Sequence, residues 1–138
     1  GLLEHMDIGE FSVSTETAPH MVIASIDNDQ AEILIGYHGE TLDAIQQLVV
    51  RMAHLGGREM PLILVDVAEY RAKRLTRLRR VCEDLAELAI ENEQEEDFDP
   101  MDALDRKIVH TLLRDHDGVE TYSRGEGRSR RVIITPVK

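Results

Sequence analysis

The sequence predicts a mixed fold of short strands and helices arranged as two small units. Three observations carry this. Residues 11–15, 21–26 and 61–66 are β-branched or alternating runs, which read as strands. From about residue 69 to 91 apolar residues recur at steps of three and four, the period of a helix with one buried face. Residues 91–97 are acidic and polar, and read as an exposed link between the units, with a mimic folded over a basic face as the lesser alternative.

The bulk numbers agree with a folded chain. Its 138 residues suffice for one domain or two small ones, and 42% apolar with 31% charged residues suits a soluble protein. With no Trp, two Phe and three Tyr, the core must be aliphatic. A single Cys excludes an intrachain disulfide framework and a Cys-based zinc site, and suits a reducing cytosol. No apolar run approaches the length that spans a bilayer and no signal-peptide pattern opens the chain, so the expected location is cytoplasmic, with no integral membrane segment. Residues 1–6, where His5-Met6 resembles a cloning junction, carry none of these readings.

The net charge of −11 is unevenly spread. Residues 1–50 hold nine acids and no Lys or Arg, and residues 71–80 hold six bases and no acid. Residues 91–105 hold eight acids and no base, whereas 106–138 hold eight bases and four acids. Charges more than about 10 Å apart are screened at ordinary salt, so a polyanionic ligand feels the local field and not the total.

In chain order, residues 11–15 and 21–26 form a hairpin broken at Ala18-Pro19-His20, and Asp27-Asn28-Asp29 is a turn and N-cap for a short helix. Gly36-Tyr37-His38-Gly39 follows. Glycines bracketing two residues allow a tight turn and a close backbone approach to a ligand. Glu40 or Thr41 then opens a helix with Leu42, Ile45, Leu48, Val49 and Met52 on one face. Free N–H groups beside a helix N-terminus favour an anion such as a phosphodiester. Taken alone, the same pattern is an ordinary turn between helices. The second helix is expected to stop at Gly56-Gly57, with His54 at its negative end as simple helix-end electrostatics and Arg58 open to either role.

Residues 61–66 are a buried strand, apolar enough that an exposed edge there leaves a homodimer open. The long helix after it faces a core through the Arg71 stem, Leu75, Leu78, Cys82, Leu85 and Ala89, so Cys82 is a buried, inert thiol. Lys73, Arg74, Arg77 and Arg80 lie on its other face. They form either a solvated surface with pairs such as Arg80–Asp84 or a phosphate-attracting basic patch.

Asp99 as N-cap, Pro100 in the first turn and Asp102 beside it start the next helix, with Met101, Leu104, Ile108 and Leu112 as its buried stripe and Gly118 as its end. Arg106, His110 and Arg114, four apart, share another face. An Arg and a His one turn apart can reach one phosphate, the Arg through a bidentate fork and the His through a pH-dependent donor. The bland alternative pairs Arg106 with Asp102 and leaves His110 on the surface. Strands at residues 119–123 and 131–135 close the chain around a basic, glycine-containing loop, residues 124–129. No Ser-His-Asp motif, P-loop or dinucleotide motif appears, and His110 and His116, six apart on a helix, point to different sides, so no metal, cofactor or catalytic residue is expected.

The order strand, strand, helix, Gly36-x-x-Gly39, helix, strand resembles a KH domain, whose GxxG loop clamps a few single-stranded nucleotides. The block from Met101 to His110, with the Gly118–Gly127 and Arg130–Ile134 stretches, resembles the R-3-H domain, a module associated with single-stranded nucleic acid. Together they resemble the bacterial Jag, or SpoIIIJ-associated, family. That resemblance implies an α+β fold: a type II-like KH domain over residues 8–91, with a three-stranded sheet, helices on one face and a long linking helix. An R-3-H domain over 92–138 would follow, with a three-stranded sheet and two helices. It implies a cytoplasmic, non-catalytic RNA-binding protein linked to cell envelope, division or sporulation, with a partner KH protein as one option and single-stranded DNA as an alternative ligand. Carried over, the contacts fall on Gly36, Tyr37, His38 and Gly39, and on Arg106 and His110 with Thr121, Ser123, Gly125 and Arg131 as supporters. Arg114 and Arg124 extend the basic face, Arg124 standing where the family often has an acid. Tyr37 and His38 replace the usual Lys or Arg between the glycines, so the first half would bind through N–H groups, dipoles and stacking. The Lys/Arg-free stretch 1–50 supports a competing reading, a protein-interaction scaffold with a degenerate KH surface.

Overall fold

In the computed structural model, which describes residues 3, 10–55 and 60–138, the chain divides between Lys73 and Arg74 into two units. In the first, β1 (Ser12–Ala18) pairs antiparallel with β2 (Met21–Asp27), Ser12 opposite Asp27 and Ala18 opposite Met21. β2 then pairs parallel with β3 (Leu62–Val67), Met21 opposite Leu62 and Ile26 opposite Val67. A parallel pair needs a long crossover. Helices α1 (Ala31–Ile35) and α2 (Glu40–His54) supply it, and they close a core of Ile26, Leu34, Leu42, Ile45, Val65 and Val67.

The local differences from the sequence reading have physical causes. β1 runs on to Ala18, so the hairpin turn shrinks to Pro19-His20, with His20 left-handed at φ 61°. The N-cap of α1 is Gln30, whose N–H donates to Asn28 Oδ1 at 2.7 Å. On α2, Leu42 and Ile45 are buried as expected, but Leu48 and Met52 are exposed and Gln46 is buried instead. β3 is an edge strand, and the Gln46 amide donates to Ile63 O and accepts from Val65 N at 2.7 Å. An apolar residue there would leave two backbone groups of the edge unmet. The same bonds occupy part of the edge that strand pairing with a second copy would need. The expected stop at Gly56-Gly57, and Arg58, lie outside the described residues.

α3 (Ala72–Asn92) starts later than residue 69 because Ala68 and Glu69 are left-handed, at φ 50° and 58°. The Asp66 carboxylate, 3% exposed, accepts the N–H groups of Val67 (2.9 Å), Arg71 (2.7 Å) and Ala72 (3.1 Å), which caps the helix through side-chain oxygens.

In the second unit β6 (Arg131–Pro136) is central, flanked antiparallel by β4 (Glu96–Asp97) and β5 (Val119–Arg124). Residues 91–97 are therefore more than a link: α3 runs to Asn92, and Glu96 and Asp97 pair with Ile134 and Ile133. Cys82, Ala86 and Ala89 of α3 pack with Phe98, Val109, Leu113, Val119, Val132 and Ile134. That packing ties most of α3 to the second unit, and the division falls well before the expected 91/92 boundary. Burial and the neighbouring Glu83 carboxylate push the Cys82 thiol up to about 12.

α4 (Ala103–Leu112) is capped by Asp102, whose Oδ1 accepts from Asp105 N at 2.9 Å, so Asp99 and Pro100 precede the helix. The buried stripe shifts with it. Asp105, Ile108 and Val109 face inward, joined by Leu113 just beyond the helix, while Met101, Leu104 and Leu112 are half-buried. Gly118 ends the turn before β5, not the helix. Among the described residues, no helix is long and apolar enough to cross a membrane.

Candidate nucleic-acid interface

α4 lays His110 against β5. Its Nδ1 lies 2.7 Å from Thr121 Oγ1 and its Nε2 3.0 Å from Ser123 Oγ. Thr121 and Ser123 are two apart on a strand, so both hydroxyls reach one face. A hydroxyl both donates and accepts, so this pair fits either tautomer of the neutral ring. It also fits the imidazolium, which donates to both oxygens and leaves their protons free to point outward. Burial first, then the charges of Arg106 and Arg130, holds the ring's pKa below its ordinary 6.5.

Arg106 is anchored by Nη1 donating to Met101 O at 2.6 Å, and not by Asp102. Arg130 is anchored by Nη1 donating to Gly125 O at 2.8 Å. Gly125 has φ 95°, and a Cβ there would sit 2.9 Å from Ser129 O, so glycine lets the chain turn back and place Arg130. An open cleft of about 440 Å³ runs beside the ring, lined by Lys107, His110, Thr111, Arg114, Glu120 and Thr121.

Arg124 and Arg131 go elsewhere. Alternation along β5 sends Tyr122 and Arg124 to the opposite face of the sheet, and Arg131 is the cross-strand partner of Arg124. There the Tyr122 hydroxyl donates to Glu95 at 2.6 Å and Arg124 pairs with Glu95 at 3.1 Å. The Arg124 guanidinium also donates to the Tyr122 hydroxyl and sits 5.4 Å from the ring centroid. Arg131 Nε donates to Asp97 at 2.8 Å. The Tyr122 hydrogen bond, with Arg124, keeps the Glu95 carboxyl below its ordinary range.

Of the expected C-terminal residues, then, Arg106, His110, Thr121, Ser123 and Arg114 gather on one side, while Arg124 and Arg131 gather on the other. Arg130, whose charge helps to lower the His110 pKa, is a residue that the sequence reading leaves out. The signal for it is there: Arg130-Arg131 enters a strand, and neighbours on a strand face opposite ways. In the candidate basic patch, Lys73, Arg74, Arg77 and Arg80 are all exposed on α3, and Arg74 pairs with the buried carboxylate of Asp105. Arg74 thereby ties α3 to α4.

In the first unit the two-glycine turn is a short 3₁₀ segment, Tyr37–Gly39, between α1 and α2. Gly36 and Gly39 have φ 73° and 80°. A Cβ on Gly36 would collide with Thr41 Oγ1, and one on Gly39 would sit 2.9 Å from the Tyr70 hydroxyl. Tyr37 is 76% exposed, its ring edge-on to His38 at 4.1 Å. Glu40 and Asp43 occupy the first turn of α2, where they compete with an anion for the helix dipole. Arg71, a base outside the acidic first fifty residues, pairs with Asp43 at 2.8 Å and donates to Val65 O at 3.0 Å. Gly36→Ala is expected to destabilise the first unit by about 1–3 kcal/mol, from a left-handed backbone and the Thr41 collision. A thermal melt read at Tyr37 and Tyr70 checks it, and an unchanged midpoint would contradict the assigned turn.

A small helix over a three-stranded sheet, with Arg and His one turn apart and the ring held by strand hydroxyls, places the second unit in a defined class: residues 76–136 match the R-3-H domain family. Over most of its length the chain is also similar to proteins named RNA-binding protein KhpB. The identity is 34% over 111 residues with the Lactiplantibacillus plantarum protein, 29% over 129 with that of Bacillus subtilis and 28% over 133 with that of Streptococcus pneumoniae serotype 2. These alignments take in 80%, 92% and 96% of this chain, and 34%, 62% and 40% of the respective relatives. The R-3-H match and these relatives support the family that the sequence resembles.

Proposed function

We propose that the chain is a non-catalytic, single-stranded RNA-binding protein of the Jag type, whose principal contact is the α4–β5 face. The observation that carries this is the His110 ring, held by the Thr121 and Ser123 hydroxyls at 2.7 and 3.0 Å and lying within the field of the Arg106 and Arg130 charges. Two forks and a hydroxyl-backed imidazole suit a phosphodiester, and the cleft beside them leaves room for the backbone to continue toward Arg114. The first unit is read as a type II-like KH domain. Its strand–strand–helix–turn–helix–strand order, the parallel β2–β3 pair and the strained glycine turn support that reading. There the backbone N–H groups and exposed Tyr37 would carry a nucleotide, with Gly36, His38 and Gly39 shaping the loop. A cytoplasmic role in post-transcriptional regulation linked to envelope growth, division or sporulation belongs to the same proposal.

Fluorescence anisotropy with a mixed single-stranded RNA pool across a salt series tests it. Affinity should fall linearly in log–log form with salt as phosphates are neutralised. No binding by the folded chain at low salt would leave the scaffold reading. That alternative is favoured by the exposed Leu48, Met52 and Leu55 at the end of α2.

The depressed pKa of His110 makes a pH prediction. A bound phosphate favours the imidazolium, so binding takes up a proton. Affinity should therefore rise as pH falls through the bound-state pKa, and level off below the free-state value, which lies under 6.5. His110→Asn should flatten the profile. An equally steep profile in that variant would assign the effect to another group.

A further inference from the structure

We propose that the opposite face of the R-3-H sheet is a second single-strand contact, formed by Tyr122, Arg124 and Arg131, which Glu95 and Asp97 hold closed when no strand is bound. The inference rests on the RNA-binding reading and concerns a surface on the other side of the sheet from His110. Its parts are those a single strand uses: an aromatic ring, 37% exposed, for a base and two cross-strand guanidinium groups for phosphates. All three groups are occupied from one short segment. Glu95 takes both Tyr122 and Arg124, and Asp97 takes Arg131.

Those carboxylates are not required to place the segment. The backbone of β4 pairs with β6, and the next residue, Phe98, is buried in the core with its N–H donating to Val132 O at 3.0 Å. Both ion pairs are solvent-facing, and such pairs exchange readily. Each arginine meets its carboxylate through a single contact, whereas a phosphate can take both arms of a guanidinium fork and carries more charge. Displacing Glu95 releases two groups together: Arg124 for a phosphate, and the Tyr122 ring that Arg124 now covers for a base. The acidic run thus acts as an internal competitor.

The test uses the full chain and a labelled, mixed-sequence single-stranded RNA in a salt series. Glu95→Gln/Asp97→Asn keeps side-chain shape and an acceptor oxygen, and circular dichroism verifies the fold. It should raise affinity about three- to tenfold and steepen the salt slope by up to ~2, one per released cation. Glu91→Gln/Glu93→Gln removes the same charge from the neighbouring stretch and should change affinity much less. In an Arg124→Ala/Arg131→Ala background, Glu95→Gln/Asp97→Asn should give no gain. Equal gains in both charge-matched variants, a gain that survives loss of the two arginines, or no gain at all would each overturn the proposal. Binding by the native chain that Glu95→Gln/Asp97→Asn leaves unchanged overturns this inference alone. Absence of binding by every variant overturns the RNA reading with it.

Discussion

Arg106→Ala combined with His110→Ala is expected to weaken single-stranded RNA binding about a hundredfold at low salt. The magnitude follows from two contacts, each a hydrogen bond to a charged group worth roughly 1.5–3 kcal/mol, with partial compensation by water. The salt slope should become shallower by about 1–2, since up to two cations no longer displace counterions. Arg106→Lys separates charge from geometry. It keeps the cation and loses the planar fork, so the slope should hold while affinity drops several-fold. Stability should change little. Arg106 and His110 are half-buried, and the Thr121 and Ser123 hydroxyls released by the loss of His110 can turn to water. Unchanged affinity in the double variant would remove the α4–β5 face from the binding site.

Asp66→Ala is expected to be the most damaging single change in the first unit. One carboxylate accepts three backbone N–H groups where β3 hands the chain to α3, and its replacement strands all three donors around a nearly dry site. With about 1–3 kcal/mol for each unsatisfied buried group, and some relief from entering water, the loss should be roughly 3–5 kcal/mol. Asp66→Asn retains one acceptor oxygen and should fall between. Hydrogen exchange at Arg71 and Ala72 provides the local readout, and amides as protected in Asp66→Ala as in the native chain would refute this role. Because two units are present, the measurement must follow each separately and not one shared midpoint.

Apart from the two-residue β4, the strand and helix order is legible in the sequence, and the helices most plainly, because apolar period is a strong signal over eight or more residues, as in α2, α3 and α4. The resemblance of the C-terminal block is supported by the match over residues 76–136. What escapes a reading of the sequence is the side chain that acts against its type. Gln46 is invisible to an apolar count because it is buried for its amide, not its hydrophobicity. Asp66 looks like the end of a strand, yet its oxygens cap a helix that begins six residues later. Asp99 before Pro100 reads as the cap on paper, yet it is Asp102 whose side chain accepts the Asp105 N–H and starts the helix. The division of the C-terminal arginines needs the register of β5 on β6, which pairs Arg124 with Arg131 on the face away from Thr121 and Ser123. The acids at 95 and 97 read first as an exposed link, and a fold over a basic face only second, because nothing local shows which strands about thirty residues away they sit beside.

Cys82 gives the second unit a private clock. It is the chain's one cysteine, 3% exposed in a core made only of residues from that unit, with its thiol pushed up to about 12. A thiol reagent therefore meets little thiolate in the closed core, and its reaction is expected to depend chiefly on the moments when that core opens. When reclosing outpaces labelling, the rate of modification counts those moments as an equilibrium, and so reports the free energy of opening for this unit without interference from the other. Strand binding should slow the clock in proportion to occupancy.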